Sequence, residues 1–296
     1  MAEPITLVEC PRDAFQGLPG LIPTQTKVAY LESLIEAGFS HIDFGSFVSP
    51  KAVPQMQDTR QVLDAIRHQL KNTSLIAIVP NLQGLEAAIQ AGDIRCAGFS
   101  LSVSETFQKR NFHQTLEQAW TVVNQLLERS QAVGMDLVVY LSMALGNPYG
   151  DPWSVSDVVL HAEKLASKGI RQISLADTIG AATSSSVHTL FSECKKHLSG
   201  LDLGIHLHSR PDRWEELVLA AYSAGCRRFD GALMGMGGCP FAKDHLVGNV
   251  PTEGLVQCFA RMGVETGILY AALEHPLSLA QKILGRYGPQ PISQGE

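Results

Sequence analysis

A chain of 296 residues, 45% hydrophobic and 18% charged, carries enough apolar material for a large core and too few charges for disorder. The net charge of −6 is mild, and Lys109-Arg110, Lys195-Lys196 and Arg227-Arg228 are the only adjacent basic pairs, which excludes a nucleic-acid footprint. Six cysteines without a Cys-x-x-Cys pair argue for reduced thiols in a cytoplasmic compartment, no run reaches the about 18 apolar residues of a membrane span, and no signal peptide is evident.

From the N-terminus, short apolar or β-branched runs alternate with longer stretches whose apolar residues recur at three- and four-residue steps, the pattern of repeated βα units. The predicted strands are Ile5 to Glu9, His41 to Phe44, Ser74 to Val79, Cys96 to Val103, Asp136 to Ser142, Gln172 to Leu175, Asp202 to His208 and Arg228 to Ala232. Between them Thr24 to Ala37, Gln55 to Gln69, Leu116 to Val133 and Ser154 to Ser167 read as helices, and Gly38, Gly92, Gly134, Gly169 and Gly225 stand where helices should stop. Eight such units predict an α/β fold of the (β/α)8 TIM-barrel type, which needs roughly 250 residues. An open doubly wound sheet is the weaker alternative, because Pro11-Arg12-Asp13-Ala14 is no glycine-rich dinucleotide turn. No linker divides the chain, so residues 1–296 read as one domain, with the barrel over about 5–265 and a short C-terminal helical extension over about 266–288.

In such a barrel the chemistry sits at the C-terminal ends of the strands. Arg12 and Asp13 follow the first strand, Asp177 and Thr178 the sixth, His206 and His208 end the seventh, and Asn249 lies in the loop after the eighth. Closure sets strand eight beside strand one, so these residues are expected in one sector of the rim. His206 and His208 share a strand face because side chains alternate with a period of two. With Asp13 and Asn249 they make a carboxylate, two imidazoles and an amide, a set suited to Mg²⁺ or Mn²⁺, or to Zn²⁺ with open positions. Taken singly the signals are plain: an Arg-Asp pair is most often a surface ion pair, an aspartate ahead of a helix a cap, a lone cysteine a small buried hydrophobe.

Five segments carry more. Pro11-Arg12-Asp13, Ser46-Phe-Val-Ser-Pro-Lys51 with Val53-Pro-Gln-Met56, Ser174-Leu-Ala-Asp-Thr-Ile-Gly180, His206-x-His208, and Gly237-Gly-Cys-Pro-Phe-Ala242 with Gly248-Asn249 resemble the hydroxymethylglutaryl-CoA lyase family in order from about residue 5 to about 275. Arg-Asp and His-x-His are shared with related Claisen-type barrels, whereas the Ser-Phe-Val-Ser-Pro-Lys and Gly-Gly-Cys-Pro segments are more specific to the lyases. The resemblance implies a divalent-metal barrel, often dimeric, that cleaves 3-hydroxy-3-methylglutaryl-CoA to acetyl-CoA and acetoacetate. It implies a base at His206 or Asp177, an enolate stabiliser at Arg12, and a proton relay at Cys239 once its glycine-rich loop closes. Substrate contacts would fall at Gln16, Asp43, Ser46, Ser142 and Thr178, with Lys51, Lys109 and Arg110 meeting the acyl-CoA phosphates.

The chain also departs from that pattern. Ser209-Arg210-Pro211 stands where Asp or Asn, then Thr, usually follow His-x-His, Ala14 replaces a glycine, Asp43 a glutamate, and Asn147 a cysteine. Ser209 and Pro211 are expected to disturb the support behind the metal ligands, and Ala14 to disfavour a positive φ at the turn presenting Asp13. Two other readings stay open: a related enzyme acting on another 3-hydroxyacyl-CoA or a 2-keto acid, and a catalytically weakened barrel that binds metal or acyl-CoA. The few residues after the last helical pattern leave no room for the regulatory sequence that keto-acid condensing enzymes usually carry.

Overall fold

The structure, a computed structural model, describes residues 3–237 and 247–289. The eight apolar runs form strands β1 (Thr6–Glu9), β2 (His41–Ser46), β3 (Ser74–Ile78), β4 (Cys96–Ser102), β5 (Asp136–Ser142), β6 (Gln172–Asp177), β7 (Asp202–Ser209) and β8 (Arg228–Gly231). Each pairs in parallel with the next, and β8 pairs with β1 from Thr6 opposite Arg228 to Glu9 opposite Gly231, which closes the barrel. The strand order and surrounding helices make a (β/α)8 barrel, as the alternating pattern predicts.

The helices are α1 (Pro11–Gln16), α2 (Thr24–Glu36), α3 (Thr59–Ile66), α4 (Leu82–Ala91), α5 (Glu105–Phe112), α6 (Leu116–Val133), α7 (Val155–Lys168), α8 (Ser184–His197), α9 (Trp214–Ser223), α10 (Thr252–Arg261) and α11 (Glu274–Tyr287). Their starts are set by local chemistry: Thr115 and Gln118 exchange hydrogen bonds in a capping box at α6, and the Asn81, Ser104 and Ser154 side chains accept from the first turns of α4, α5 and α7. The five expected stop glycines all have positive φ. The helix expected over Gln55 to Gln69 is broken into a 3-10 turn at Pro54–Met56, α3, and a second 3-10 turn at Arg67–Gln69. A register shift between Asp43 and Gly45 marks an irregularity in β2 next to the site.

Apolar burial is divided between two layers. Val8, Cys10, Ile76, Cys96, Val138 and Tyr140 fill the barrel interior. The larger cluster lies between strands and helices, where alternate strand residues such as Leu7, Ile42, Leu75 and Phe229 meet the apolar helix faces. The interior also holds Arg228, whose Nη2 donates to Ile173 O at 3.3 Å. Gly204 makes room for it, since a Cβ there would lie 2.5 Å from Arg228 Nε. Tyr287 O at the end of α11 accepts from Gly20 N at 3.0 Å, tying that helix to the chain between α1 and α2. The five described cysteines are buried and free of disulfides, and among the described residues no helix is long and apolar enough to cross a membrane.

Candidate active site

Pro11 starts α1 directly after β1, in the position where its missing N–H costs nothing, so Arg12 and Asp13 project from a short helix rather than a loop. This helical backbone removes the concern over Ala14, which is fully buried and has no positive φ. His206 and His208 lie on β7 with their Nε2 atoms 3.1 Å apart. Asn249 forms, with Gly248, a two-residue strand β9 antiparallel to β7, in register with His208. The sequence pattern places Asn249 in a loop, and two residues are too few to show a strand period. Asn249 Nδ2 donates to Asp13 Oδ2 at 2.9 Å and to Met236 O at 2.8 Å, and Asp13 Oδ2 lies 3.5 Å from His208 Nε2. Gly237, at φ 94°, passes so close over this pair that a Cβ would stand 2.7 Å from Asn249 Nδ2 and 3.0 Å from Asp13 O.

Arg12 joins the cluster to β2. Its Nε and Nη2 donate to Asp43 Oδ2 at 3.0 and 2.6 Å, and its Nη1 donates to Asp13 Oδ1 at 3.0 Å and to Gln16 Oε1 at 3.3 Å. Burial opposes the Arg12 charge, but Asp43 and then Asp13 hold the guanidinium protonated above its ordinary range. Burial likewise works to raise Asp13, yet Arg12, His208 and His206 keep its carboxyl well below the usual carboxylate range. Burial lifts Asp43 against the pull of Arg12. At His206 burial disfavours the charged ring, and the Asp230 hydrogen bond and charge overcome it and raise the pKa.

A cavity of about 430 Å³ opens at this end of the barrel. Its wall includes Arg12, Asp13, Gln16, Ser46, Ser142, Thr178, His206 and His208, all expected from the sequence, together with Ile78, Phe99, Ser100, Phe107, Asn111, Phe112 and Tyr140, which the sequence reading did not single out. Period-two alternation on β4 and β5 would have flagged Ser100, Tyr140 and Ser142 as same-facing neighbours, and the Ser100 and Ser142 hydroxyls are 2.6 Å apart. Among the described residues, Asp43, Asp177, Lys51, Lys109 and Arg110 do not line this cavity. Asp43 stands behind Arg12. Asp177, buried and with its pKa raised by that burial, accepts from Ala181 N at 3.0 Å and Ala182 N at 2.8 Å, bracing the turn before α8. Lys109 and Arg110 are exposed on α5, Lys109 paired with Glu105 at 2.8 Å and Arg110 stacked over the Tyr149 ring at 5.1 Å. Lys51 is exposed, and Cys239 lies outside the described residues.

The departures acquire local explanations. Asn147 Oδ1 accepts from Tyr149 N and Asp151 N at 3.0 and 3.1 Å while its Nδ2 donates to Asp151 O, so it organises a loop that a cysteine would leave unbonded. Pro211 sits in a turn closed by Arg213 N to Arg210 O at 3.0 Å. Ser209 is buried with no partner for its Oγ, and His208 Nδ1 is buried and unpartnered as well.

Asp13, His206 and His208 each offer an atom within 4.8 Å of the other two, and Asn249 touches the same carboxylate. Two imidazole edges and a carboxylate turned to one point, with no thiolate among them, form a group able to hold a divalent cation.

A family model described as HMGL-like matches residues 6–278. The cytoplasmic 3-hydroxy-3-methylglutaryl-CoA lyase of Rattus norvegicus is 34% identical over 269 residues, covering 90% of this chain and 78% of that protein. The HMG-CoA lyase structure from Brucella melitensis superposes with a TM-score of 0.90 at 31% identity, covering 95% of this chain and 99% of that one. An HMG-CoA lyase from A. baumannii, solved with coenzyme A and 3-methylmalate, gives a TM-score of 0.88 at 33% identity over 99% of this chain and 95% of that one. With sequence match and superposition both spanning the barrel and the rim that carries these side chains, the chain belongs to the HMGL-like family of carbon–carbon lyases.

Proposed function

We propose that this chain cleaves 3-hydroxy-3-methylglutaryl-CoA to acetyl-CoA and acetoacetate, using Mg²⁺ or Mn²⁺ held by Asp13, His206, His208 and Asn249. The observation that carries the reading is the meeting of Asp13, His206 and His208 with the Arg12 guanidinium on one cavity wall. The relatives named for this reaction and the coenzyme A in one related structure support the substrate class. A bound cation supplies Lewis acidity that lowers the pKa of the substrate hydroxyl.

The chain's own residues account for the remaining steps. His206, on the cavity wall, accepts the 3-hydroxyl proton at Nε2, whereas both Asp177 oxygens are committed to backbone N–H groups. A nitrogen lone pair serves one partner at a time, so His206 would belong to the ligand set before proton transfer, and during it Asp13, His208 and Asn249 would remain to hold the cation. The C2–C3 electron pair then passes to the thioester, and Arg12, fixed by Asp43, balances the charge on the enolate oxygen. Cys239 delivers the proton to the enolate carbon. Lys109 and Arg110 meet the coenzyme A phosphates from α5, whose Phe107, Asn111 and Phe112 line the cavity, and Lys51 adds a third cation. A homodimer is part of the same proposal.

Purified protein with Mg²⁺ and 3-hydroxy-3-methylglutaryl-CoA is expected to release acetoacetate and acetyl-CoA in equal amounts. Cleavage confined to another 3-hydroxyacyl-CoA would move the assignment to a sister substrate, and tight binding without turnover would replace the enzyme by a binding protein.

A further inference from the structure

We infer that Asp230 is a positioning residue that fixes which nitrogen His206 turns to the cavity. The inference rests on the cation site proposed above only for its consequence, not for its geometry. On neighbouring parallel strands His206 and Asp230 are register partners, so the barrel itself sets them side by side. Asp230 Oδ2 lies 3.2 Å from His206 Nδ1, and both residues are buried. A carboxylate can only accept there, so Nδ1 carries the hydrogen and the Nε2 lone pair points to His208 and the cavity. Both duties proposed for His206, binding a cation and taking a proton, need that lone pair.

The surroundings of Asp230 do not suit a merely structural acid. Its Oδ1 is buried with no hydrogen-bond partner, and its Oδ2 has beyond His206 only the Ser174 hydroxyl at 3.5 Å. A buried carboxylate bonded this sparingly is a poor source of stability compared with an apolar side chain of similar volume. The Tyr140 ring meets the His206 ring edge-on with centroids 6.0 Å apart, and the ring's polar contacts are Asp230 at Nδ1 and His208 at Nε2.

Ring ¹⁵N shifts of His206, recorded without metal at a pH where the ring is neutral, test the inference directly. Wild type is expected to be protonated at Nδ1, and Asp230→Ala to shift to Nε2–H. The same substitution is expected to weaken Mn²⁺ binding, read by electron paramagnetic resonance, by about 10- to 100-fold. Asp230→Asn, which keeps an acceptor oxygen, should lose less. A wild-type ring protonated at Nε2, or an unchanged tautomer in Asp230→Ala, would overturn the role, and the wild-type measurement stands even if the variant does not fold. Should the tautomer shift while neither protein binds Mn²⁺, the cation site fails and the positioning role of Asp230 survives.

Discussion

On the side of the barrel mouth formed by β7, β8 and β1, Asp13 touches Arg12, Asn249 and His208, and His206 is backed by Asp230. Across the cavity, β3 to β5 present Ile78, Phe99 and Tyr140 with a single hydroxyl pair, Ser100 and Ser142. One sector fixes charges by bonding each to a neighbour, while the other supplies shape and excludes water. Charged groups act on the reacting atoms only when their positions are set in advance, which is why the bonded sector carries the proposed chemistry and the apolar one the fit. Within the charged sector the two imidazoles differ again: His206 Nδ1 has a carboxylate behind it, and His208 Nδ1 has nothing.

Asp13→Ala tests the charged sector most severely. It removes the one carboxylate of the ligand group and a partner of Arg12 and Asn249, so Mn²⁺ affinity is expected to fall by more than about 100-fold, with turnover falling alongside. Titration calorimetry with Mn²⁺ and a coupled acetyl-CoA assay would read the two losses, and retention of either would break the link between them. Arg12→Lys separates charge from geometry. Lysine keeps a cation beside Asp13 but loses the forked contact with Asp43, so kcat should drop by about 100- to 1,000-fold while Mn²⁺ affinity stays within about threefold.

The barrel was legible because short apolar or β-branched runs alternate with stretches of helical period, and the predicted strand limits agree with the observed ones to within two residues. The meeting of Asp13 with His206, His208 and Asn249 followed from topology alone, since closure forces β8 against β1. What lay beyond the sequence was pairing at the level of single atoms. Asp43 reads as a cavity residue until the β2 register places it behind Arg12, and Asp177 reads as a base until its oxygens are found on the amides of Ala181 and Ala182. Asp230 carries no motif, and its position beside His206 depends on the shear of the closed barrel, which fixes strand register and leaves no local signature.

On the apolar side a smaller effect is expected. Ser142→Ala removes one member of the hydroxyl pair, and a lost neutral hydrogen bond of about 1 kcal/mol corresponds to a KM increase of roughly fivefold with kcat within about twofold of wild type. A fall in kcat comparable to that of Arg12→Lys would erase the distinction between the two sectors.

The last effect concerns the support beneath the charged sector and leaves activity aside. Glu9, fully buried on β1, accepts from Leu233 N at 2.9 Å and from the Thr252 hydroxyl, so it pins both ends of the chain that runs from β8 to α10 through Asn249. Burial outweighs these donors and pushes its carboxyl from 4.5 up to about 8. Because the folded value lies above the unfolded one, the native protein binds the extra proton between those limits. The associated stability is complete below about pH 4.5 and is lost as pH rises toward 8, with a slope of at most about 1.4 kcal/mol per pH unit. Glu9→Gln mimics the protonated acid and cannot titrate. Its melting temperature should therefore fall less than that of wild type between about pH 5 and pH 8. Parallel curves for the two proteins would show that Glu9 remains ionised in the fold, and that the donors from Leu233 and Thr252 prevail over burial.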